Sequence, residues 1–423
     1  MASFAPPPGT SDIFPDESGA WRLLENTAAQ IFSRYGYGEL RTPVFEYTEV
    51  FQRGLGGETE VVLKEMYTFE DRGGRSLTLR PEGTAGVMRA LSNTDAANGT
   101  EQRVFYYGPM FRGERPSAGR RRQFHQIGVE NVGRCAPLID AECIAMLHRY
   151  LQAIGIDGAC FTINSRGVAE DRPPAEAMLR EYFARHIDRM CPDCRTRLER
   201  NIWRILDCKQ ECCQPIIDAA PAYFDAFGES SKAYFREVQT ALTALEVPFK
   251  VSSRLVRGLD YYVHTVFEVT HDALGGQIAI AGGGRYELFL PGEKRPLPGV
   301  GFAAGMERLL LVREALGLSA PASGTADCFL IGLNAEARMA NLMLADALRG
   351  AGRTVALELE ERSFKAQMRA ANRSGARCAV IRGESELANR TAIVKRMDDG
   401  SQCEVPESDL QSYLLNNCQP KSR

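Results

Sequence analysis

Six consecutive residues, Arg257-Gly258-Leu259-Asp260-Tyr261-Tyr262, set a guanidinium, a carboxylate and two phenols directly ahead of an extended apolar run. Arginine is a permanent cation with a planar fork of donors that suits phosphate or carboxylate. Tyrosine gives an apolar ring with a polar tip, suited to a small aromatic or imidazole ligand. Alone, the run reads equally well as an exposed Arg–Asp pair beside core tyrosines. Two further charged blocks ask for the same kind of ligand. The first is Thr78-Leu79-Arg80-Pro81-Glu82-Gly83-Thr84, which stands between a strand-like and a helical run. Glu82 can accept from an ammonium group with Thr84 in support, or it can simply open a helix.

The second block is Tyr106-Tyr107-Gly108-Pro109-Met110-Phe111-Arg112-Gly113-Glu114-Arg115-Pro116. It returns as Arg120-Arg121-Arg122-Gln123-Phe124-His125-Gln126-Ile127-Gly128-Val129-Glu130. Two strands joined by an arginine-rich loop make an anion-binding hairpin. Arg112 would face phosphate, Phe124 could stack on a base, and the loop arginines could meet an RNA backbone. A solvated hairpin tip explains the block less well, because Glu114 alone cannot balance its arginines. A glycine-rich run follows later, Gly299-Val300-Gly301-Phe302-Ala303-Ala304-Gly305-Met306-Glu307-Arg308. It misses the dinucleotide-binding fingerprint by one residue, and no P-loop pattern occurs in the chain.

The elements that must position these groups form a mixed pattern. Residues 18–35 predict a helix, with Trp21, Leu24, Ala28, Ile31 and Phe32 at helical spacing. An extended segment around Pro43 follows. Strand-like runs come at 66–69, 76–79, 104–107 and 127–132, and a helix at 140–154. Residues 168–245 turn helical and polar and carry a cysteine cluster. They read as an insertion, because strand-like runs resume at Phe249 and again at 277–281. Residues 319–324 are small and flexible, as in a linker. Beyond them strands and helices alternate, which predicts a separate α/β domain with a parallel core.

Composition bounds the reading. A chain of 423 residues predicts two or three domains of about 150 residues each. A net charge of −3 excludes a globally basic surface, so any nucleic-acid contact must be local. No apolar run approaches the ~20 residues a membrane span needs. The first fifteen residues carry three successive prolines and no apolar core of a signal peptide. The expectation is a cytoplasmic protein whose twelve cysteines are mostly reduced. Cys191 and Cys194, with Cys208, Cys212 and Cys213, could hold a structural zinc, the favoured set being Cys191, Cys194, Cys208 and Cys212. Reduced thiols packed in a helical module are the other reading.

Taken together, these blocks resemble the three signature motifs of class II aminoacyl-tRNA synthetases. The segment around Pro43 is similar to motif 1, Phe111 through Glu130 to motif 2, and Gly301 to Arg308 to motif 3. Arg257 to Tyr262 and Gly282-Gly283-Gly284-Arg285-Tyr286 resemble the two histidine-specific motifs of the histidyl-tRNA synthetase family. Gly9-Thr10-Ser11-Asp12-Ile13-Phe14-Pro15, Lys365-Ala366-Gln367 and Ser374-Gly375-Ala376 fit the same family.

The resemblance implies an α+β fold: a class II catalytic domain with a mixed, mainly antiparallel sheet and flanking helices (residues 1–167 and 246–322). It implies a helical insertion at 168–245 and a C-terminal α/β anticodon-binding domain at 327–423. It implies ATP-dependent attachment of L-histidine to tRNA(His) through a histidyl-adenylate, by a homodimer, with Mg2+ on the phosphates. Carried over by position, Glu82, Thr84 and Gln126 would hold the histidine α-amino group, and Gly83 belongs to the same histidine-binding set. Glu130, Tyr106, Tyr261 and Tyr262 would hold the imidazole. Arg112 and Arg257 would serve catalysis at the carboxylate and α-phosphate. Arg308 would reach the terminal phosphates, Phe124 would stack on adenine, and Glu114 and Arg120 would add ATP contacts. Ser117 stands where relatives often carry the Gln that helps read the tRNA acceptor end. Synthetase-like paralogues that sense histidine as regulatory subunits of ATP phosphoribosyltransferase are the alternative. They typically lack the C-terminal domain and the arginine at the position of Arg257.

Overall fold

The computed structural model describes residues 5–55, 59, 61–92, 94, 100–117, 119–256, 261–275, 278–288, 296–318 and 326–418. Its contacts divide into two units, residues 1–13 with 20–320 and residues 14–19 with 321–423. The larger unit is built on an eight-stranded sheet. Its order is Gly38–Glu39, Gln102–Phe111, Gln123–Val132, Leu297–Gly305, Ala279–Leu288, Tyr262–Thr270, Cys160–Ser165 and Phe249–Val251. Both edge strands pair in parallel and all the pairings between them are antiparallel.

Strand alternation gives the sheet two unlike faces. Phe105, Ile127, Val129, Val300, Phe302, Phe267 and Val269 point into the main core. Helices Pro137–Ala153 and Glu229–Ala244 cover that face, together with Leu24, Ala28 and Phe32 of the first helix. Trp21 and Ile31, read as part of the same stripe, are only partly buried against it. The alternate residues, among them Tyr106, Glu130 and Tyr286, turn to the opposite face, where the apolar cluster is smaller. Arg285 faces the helices instead and is fully buried. Its Nε donates to Asp140 Oδ1 at 2.7 Å and its Nη1 to the Arg134 carbonyl at 2.7 Å. Its Nη2 also lies 2.6 Å from Asp140 Oδ1, and a buried charge is tolerated only with close partners of this kind.

The strands run longer than their apolar stretches predict. The run expected at 104–107 extends over Gln102–Phe111, and 127–132 over Gln123–Val132, because ten cross-strand pairs carry the polar hairpin residues into the ladder. Gly282, Gly283 and Gly284 are likewise interior to a strand, Ala279–Leu288, rather than following one. A smaller sheet of Phe45–Tyr47, Ser76–Leu79 and Thr68–Glu70 lies in the same unit.

Between Ser165 and Phe249 the described residues contain helices only, among them Arg172–Ala184, Pro192–Arg200 and Glu229–Ala244. Much of this stretch has its own core around Leu179, Phe183, Ile202, Trp203, Ile205 and Tyr223. Here Cys191, Cys194, Cys208 and Cys213 bring their sulfurs together. The fourth member is Cys213, not the expected Cys212. Cys213 immediately precedes the Gln214–Asp218 helix and is buried in that core, whereas Cys212 is exposed.

The C-terminal unit has a five-stranded sheet in the order Val355–Leu357, Cys328–Gly332, Cys378–Arg382, Thr391–Arg396 and Gln402–Pro406. The first three are parallel and the last two join as an antiparallel hairpin, so the parallel core expected from the alternation is only part of the sheet. Gln367 is fully buried. It accepts from the Gly332 N–H at 3.2 Å and donates to the Gly332 carbonyl at 3.0 Å. Cys378 and Cys418 form a disulfide, and the other ten cysteines are free thiols.

Candidate active site

The site lies on the less apolar face of the large sheet and begins at the helix Thr84–Leu91. The Glu82 carboxylate accepts from the backbone N–H groups of Thr84 and Ala85, both at 2.8 Å. It therefore satisfies donors that the start of the helix leaves open. Thr84 Oγ1 donates to Glu130 Oε1 at 2.7 Å, and Tyr286 Oη donates to Glu130 Oε2 at 2.7 Å. Glu130 is thus held at both oxygens and buried. Burial pushes its pKa up to about 8, against the opposing effect of the Tyr286 and Thr84 hydrogen bonds, with the nearby Glu82 charge adding to the rise. Glu82 is also shifted upward, chiefly by burial.

Glycines make room for these groups. A Cβ on Gly301 would lie 2.1 Å from Glu130 Oε2, and one on Gly128 would lie 2.4 Å from the Tyr106 ring. A Cβ on Gly83 would lie 2.2 Å from the same ring. The rings of Tyr261 and Tyr262 are 4.7 Å apart and those of Tyr261 and Tyr286 are 5.7 Å apart. With Glu82, Thr84, Gln126 and Glu130 these tyrosines enclose a cavity of about 80 Å³.

A second cavity, of about 180 Å³, opens beside it and is lined by Arg112, Glu114, Arg120, Arg121, Phe124 and Arg308. Arg112 donates to the Pro81 carbonyl at 2.9 Å, and its guanidinium lies 5.3 Å from the centre of the Phe124 ring. Arg308 donates to the Gly119 carbonyl at 3.0 Å. Burial lowers the Arg308 pKa, and the charges of Arg120 and Arg112 lower it further. Three guanidinium groups gathered around one cavity form a site for an anion. Glu114 approaches Arg120 at 3.5 Å.

The two cavities share Arg112, Gln126, Gly282 and Ala303, of which Arg112 and Gln126 bring polar side chains. Gln126 Oε1 is buried and has no hydrogen-bond partner among the described residues. An unmet acceptor at the junction calls for a donor from a ligand. The geometry can therefore take a small polar ring on one side, a polyanion on the other, and join them at Arg112.

Of the residues singled out from the sequence, Glu82, Gly83, Thr84, Tyr106, Gln126, Glu130, Tyr261 and Tyr262 converge on or border the first cavity. Arg112, Glu114, Arg120, Phe124 and Arg308 line the second. Arg257, with Gly258, Leu259 and Asp260, lies outside the described residues. Two contributors were missed. Tyr286 anchors Glu130, a role its place in the Gly-Gly-Gly-Arg-Tyr run and its strand parity with Tyr262 could have suggested. Glu307 accepts the His125 N–H at 2.9 Å and meets His125 Nδ1 at 3.0 Å, which fixes the Gln123–Val132 strand where it enters the site. The early Gly9 is explained as well. Its carbonyl accepts from the backbone of Arg122 at 2.9 Å, which holds the arginine-rich loop.

A histidine–tRNA ligase of Geobacillus thermodenitrificans is 44% identical to this chain over 418 residues, covering 98% of each. The chain belongs to the histidyl-tRNA synthetase family. A histidine–tRNA ligase of Halothermothrix orenii is 45% identical over 406 residues, covering 96% of this chain and 97% of its own. The family model for histidyl-tRNA synthetase matches residues 9–173, and that for an anticodon binding domain matches residues 327–417. The crystal structure of apo Staphylococcus aureus histidyl-tRNA synthetase superposes with a TM-score of 0.81 at 34% identity, covering 97% of this chain and 100% of that one. An ATP phosphoribosyltransferase regulatory subunit/histidyl-tRNA synthetase from Bacillus halodurans shares the fold at 22% identity and a TM-score of 0.64, covering 87% of this chain and 96% of that one.

Proposed function

We propose that this chain attaches L-histidine to tRNA(His) at the expense of ATP, in two steps, as part of protein synthesis in the cytoplasm. The observation that carries the reading is the pair of cavities joined at Arg112 and Gln126. In the first step a histidine carboxylate oxygen attacks the α-phosphorus of ATP. The new C–O–P linkage forms as the bond to the β-phosphate breaks, and pyrophosphate leaves with the electron pair. In the second step the 3′-terminal ribose of the tRNA attacks the histidyl carbonyl and AMP leaves. No side-chain nucleophile is required. Positioning and charge stabilisation supply the catalysis.

In this reading Glu82, Thr84 and Gln126 hold the α-ammonium group, and the orphan Gln126 acceptor supports it. Glu130, oriented by Thr84 and Tyr286, binds an imidazole nitrogen between Tyr106, Tyr261 and Tyr262. A site built to bond both ring nitrogens rejects isosteres that leave its buried groups unpaired. Arg112 and Arg257 meet the carboxylate and α-phosphate, Arg308 the terminal phosphates, and Phe124 the adenine. Arg120 adds charge at the phosphates. Glu114, which also approaches Arg120, and Glu307, which holds His125, are the carboxylates of this cavity, and Glu114 would help hold an Mg2+ brought in with ATP. The ion would offset charge on the departing pyrophosphate.

The C-terminal unit reads the anticodon, and two chains form the working dimer. Val44, Phe45, Tyr47 and Phe69 support the dimer, because these large apolar side chains stand exposed together around the small sheet. No helix among the described residues is long and apolar enough to cross a membrane. The test is charging: purified chain, ATP, Mg2+ and tRNA(His) should yield histidyl-tRNA. A regulatory subunit would bind histidine and charge nothing, and that result would displace this reading.

A further inference from the structure

We infer that Cys191, Cys194, Cys208 and Cys213 form a structural tetrathiolate zinc site inside the helical insertion. The site is separate from the histidine and ATP cavities, and the inference does not depend on the function proposed above. All four sulfurs lie within 4.8 Å of one another. Zinc–thiolate bonds of about 2.3 Å in a tetrahedron require sulfurs about 3.8 Å apart. Cys191 and Cys208 are separated by 3.8 Å, and Cys194 and Cys213 by 3.9 Å. The spacing is therefore that of a tetrahedral cage, in four free thiols.

The surroundings fit thiolates. Cys191 and Cys194 form a tight knuckle, with Cys191 at the start of the Pro192–Arg200 helix. The Cys191 backbone N–H donates to Cys213 Sγ at 3.3 Å, a bond that supports a charged sulfur. Cys194, Cys208 and Cys213 are buried in the core that holds Met190, Ile202, Trp203 and Ile205, Cys191 is half-buried against it, and four thiolates fill a tetrahedron with no coordination position left open. Closure of this kind marks a structural rather than a catalytic zinc. Loading breaks four S–H bonds, forms four Zn–S bonds, releases four protons and leaves a cluster of charge −2. The insertion surrounds this cage with short helices such as Gln214–Asp218. Metal binding would add directly to its folding free energy.

The chemistry of four sulfurs in a tetrahedron also admits iron, so the metal must be identified rather than assumed. The full chain, purified without chelator from zinc-supplemented cells, is analysed for metals. We expect about one zinc per chain. Cys213→Ser should lose it and Cys212→Ser should keep it. Cobalt(II) added to chain stripped of metal and reduced should give the absorption of a tetrahedral tetrathiolate site in both wild type and Cys212→Ser. If Cys213→Ser does not fold, the wild-type metal content and the two cobalt spectra still decide. A metal-free wild type without the cobalt absorption would overturn the inference, and so would iron in place of zinc. Loss of metal from Cys212→Ser with retention in Cys213→Ser would overturn the ligand set.

Discussion

At the scale of single residues the account turns on Glu130, a carboxyl group with a donor on each oxygen and almost no water. Replacing it by Gln keeps the shape but can present an amide NH2 where a carboxyl oxygen would accept from an imidazole N–H. A buried hydrogen-bonding group left without its partner costs about 1–3 kcal/mol, so Glu130→Gln should raise the KM for histidine by roughly tenfold to a hundredfold. The KM for ATP should change little. Steady-state exchange kinetics separates the two. The same group has a pH signature. Its folded-state pKa of about 8 lies above the ordinary carboxylate value, so the unfolded chain releases its proton first. Its contribution to stability is complete below about pH 4, where both states are protonated, and is lost as pH rises through the folded value. Thermal unfolding of the ligand-free protein between those limits should fall more steeply with pH in wild type than in Glu130→Gln. Parallel curves would mean that Glu130 is not held neutral. Arg257 offers a second test at this scale. Removing one preorganised charge donor costs about a hundredfold to a thousandfold in rate. Arg257→Ala should depress pyrophosphate exchange by that order and leave histidine affinity nearly unchanged. Near-normal exchange would shift the catalytic burden to Arg112 and Arg308.

At the scale of elements, the site exists because neighbouring strands alternate large polar side chains with glycine. Gly301 pairs with Glu130 across the sheet, and its missing Cβ is where the Glu130 carboxylate sits. Gly301→Ala should cost about 1–3 kcal/mol, the usual range for overpacking, and should impair histidine binding. A variant with unchanged melting temperature and unchanged KM would show that the sheet gives way more easily than this geometry implies. The charged blocks were legible in the sequence because their composition, Arg112 to Arg122 above all, has no plain structural explanation. Tyr286 was harder to read, since its role depends on strand parity and on the register that sets it across from Tyr262. The choice of Cys213 over Cys212 was not legible either. Adjacent cysteines look alike in sequence, and only the turn into Gln214–Asp218 buries one and exposes the other. The strand lengths were underestimated for a related reason. Gln126 interrupts the apolar pattern because it lines the site, while the backbone ladder continues through it.

At the scale of the whole molecule, activation of histidine and recognition of tRNA are proposed to fall to different parts of the chain. Removing residues 327–423 should damage charging of tRNA far more than histidine-dependent pyrophosphate exchange, because splayed anticodon bases are read away from the chemistry. Equal loss of both would contradict that division. Sedimentation should show a dimer at micromolar protein, and a fully active monomer would remove the role given to the exposed Val44, Phe45 and Tyr47 surface. The central claim is that the two joined cavities couple histidine to ATP. Its most direct measurement is exchange of labelled pyrophosphate into ATP by the intact chain, run with each amino acid in turn. The account predicts exchange with histidine and background with all others. No exchange with histidine, or equal exchange with a second amino acid, would contradict it.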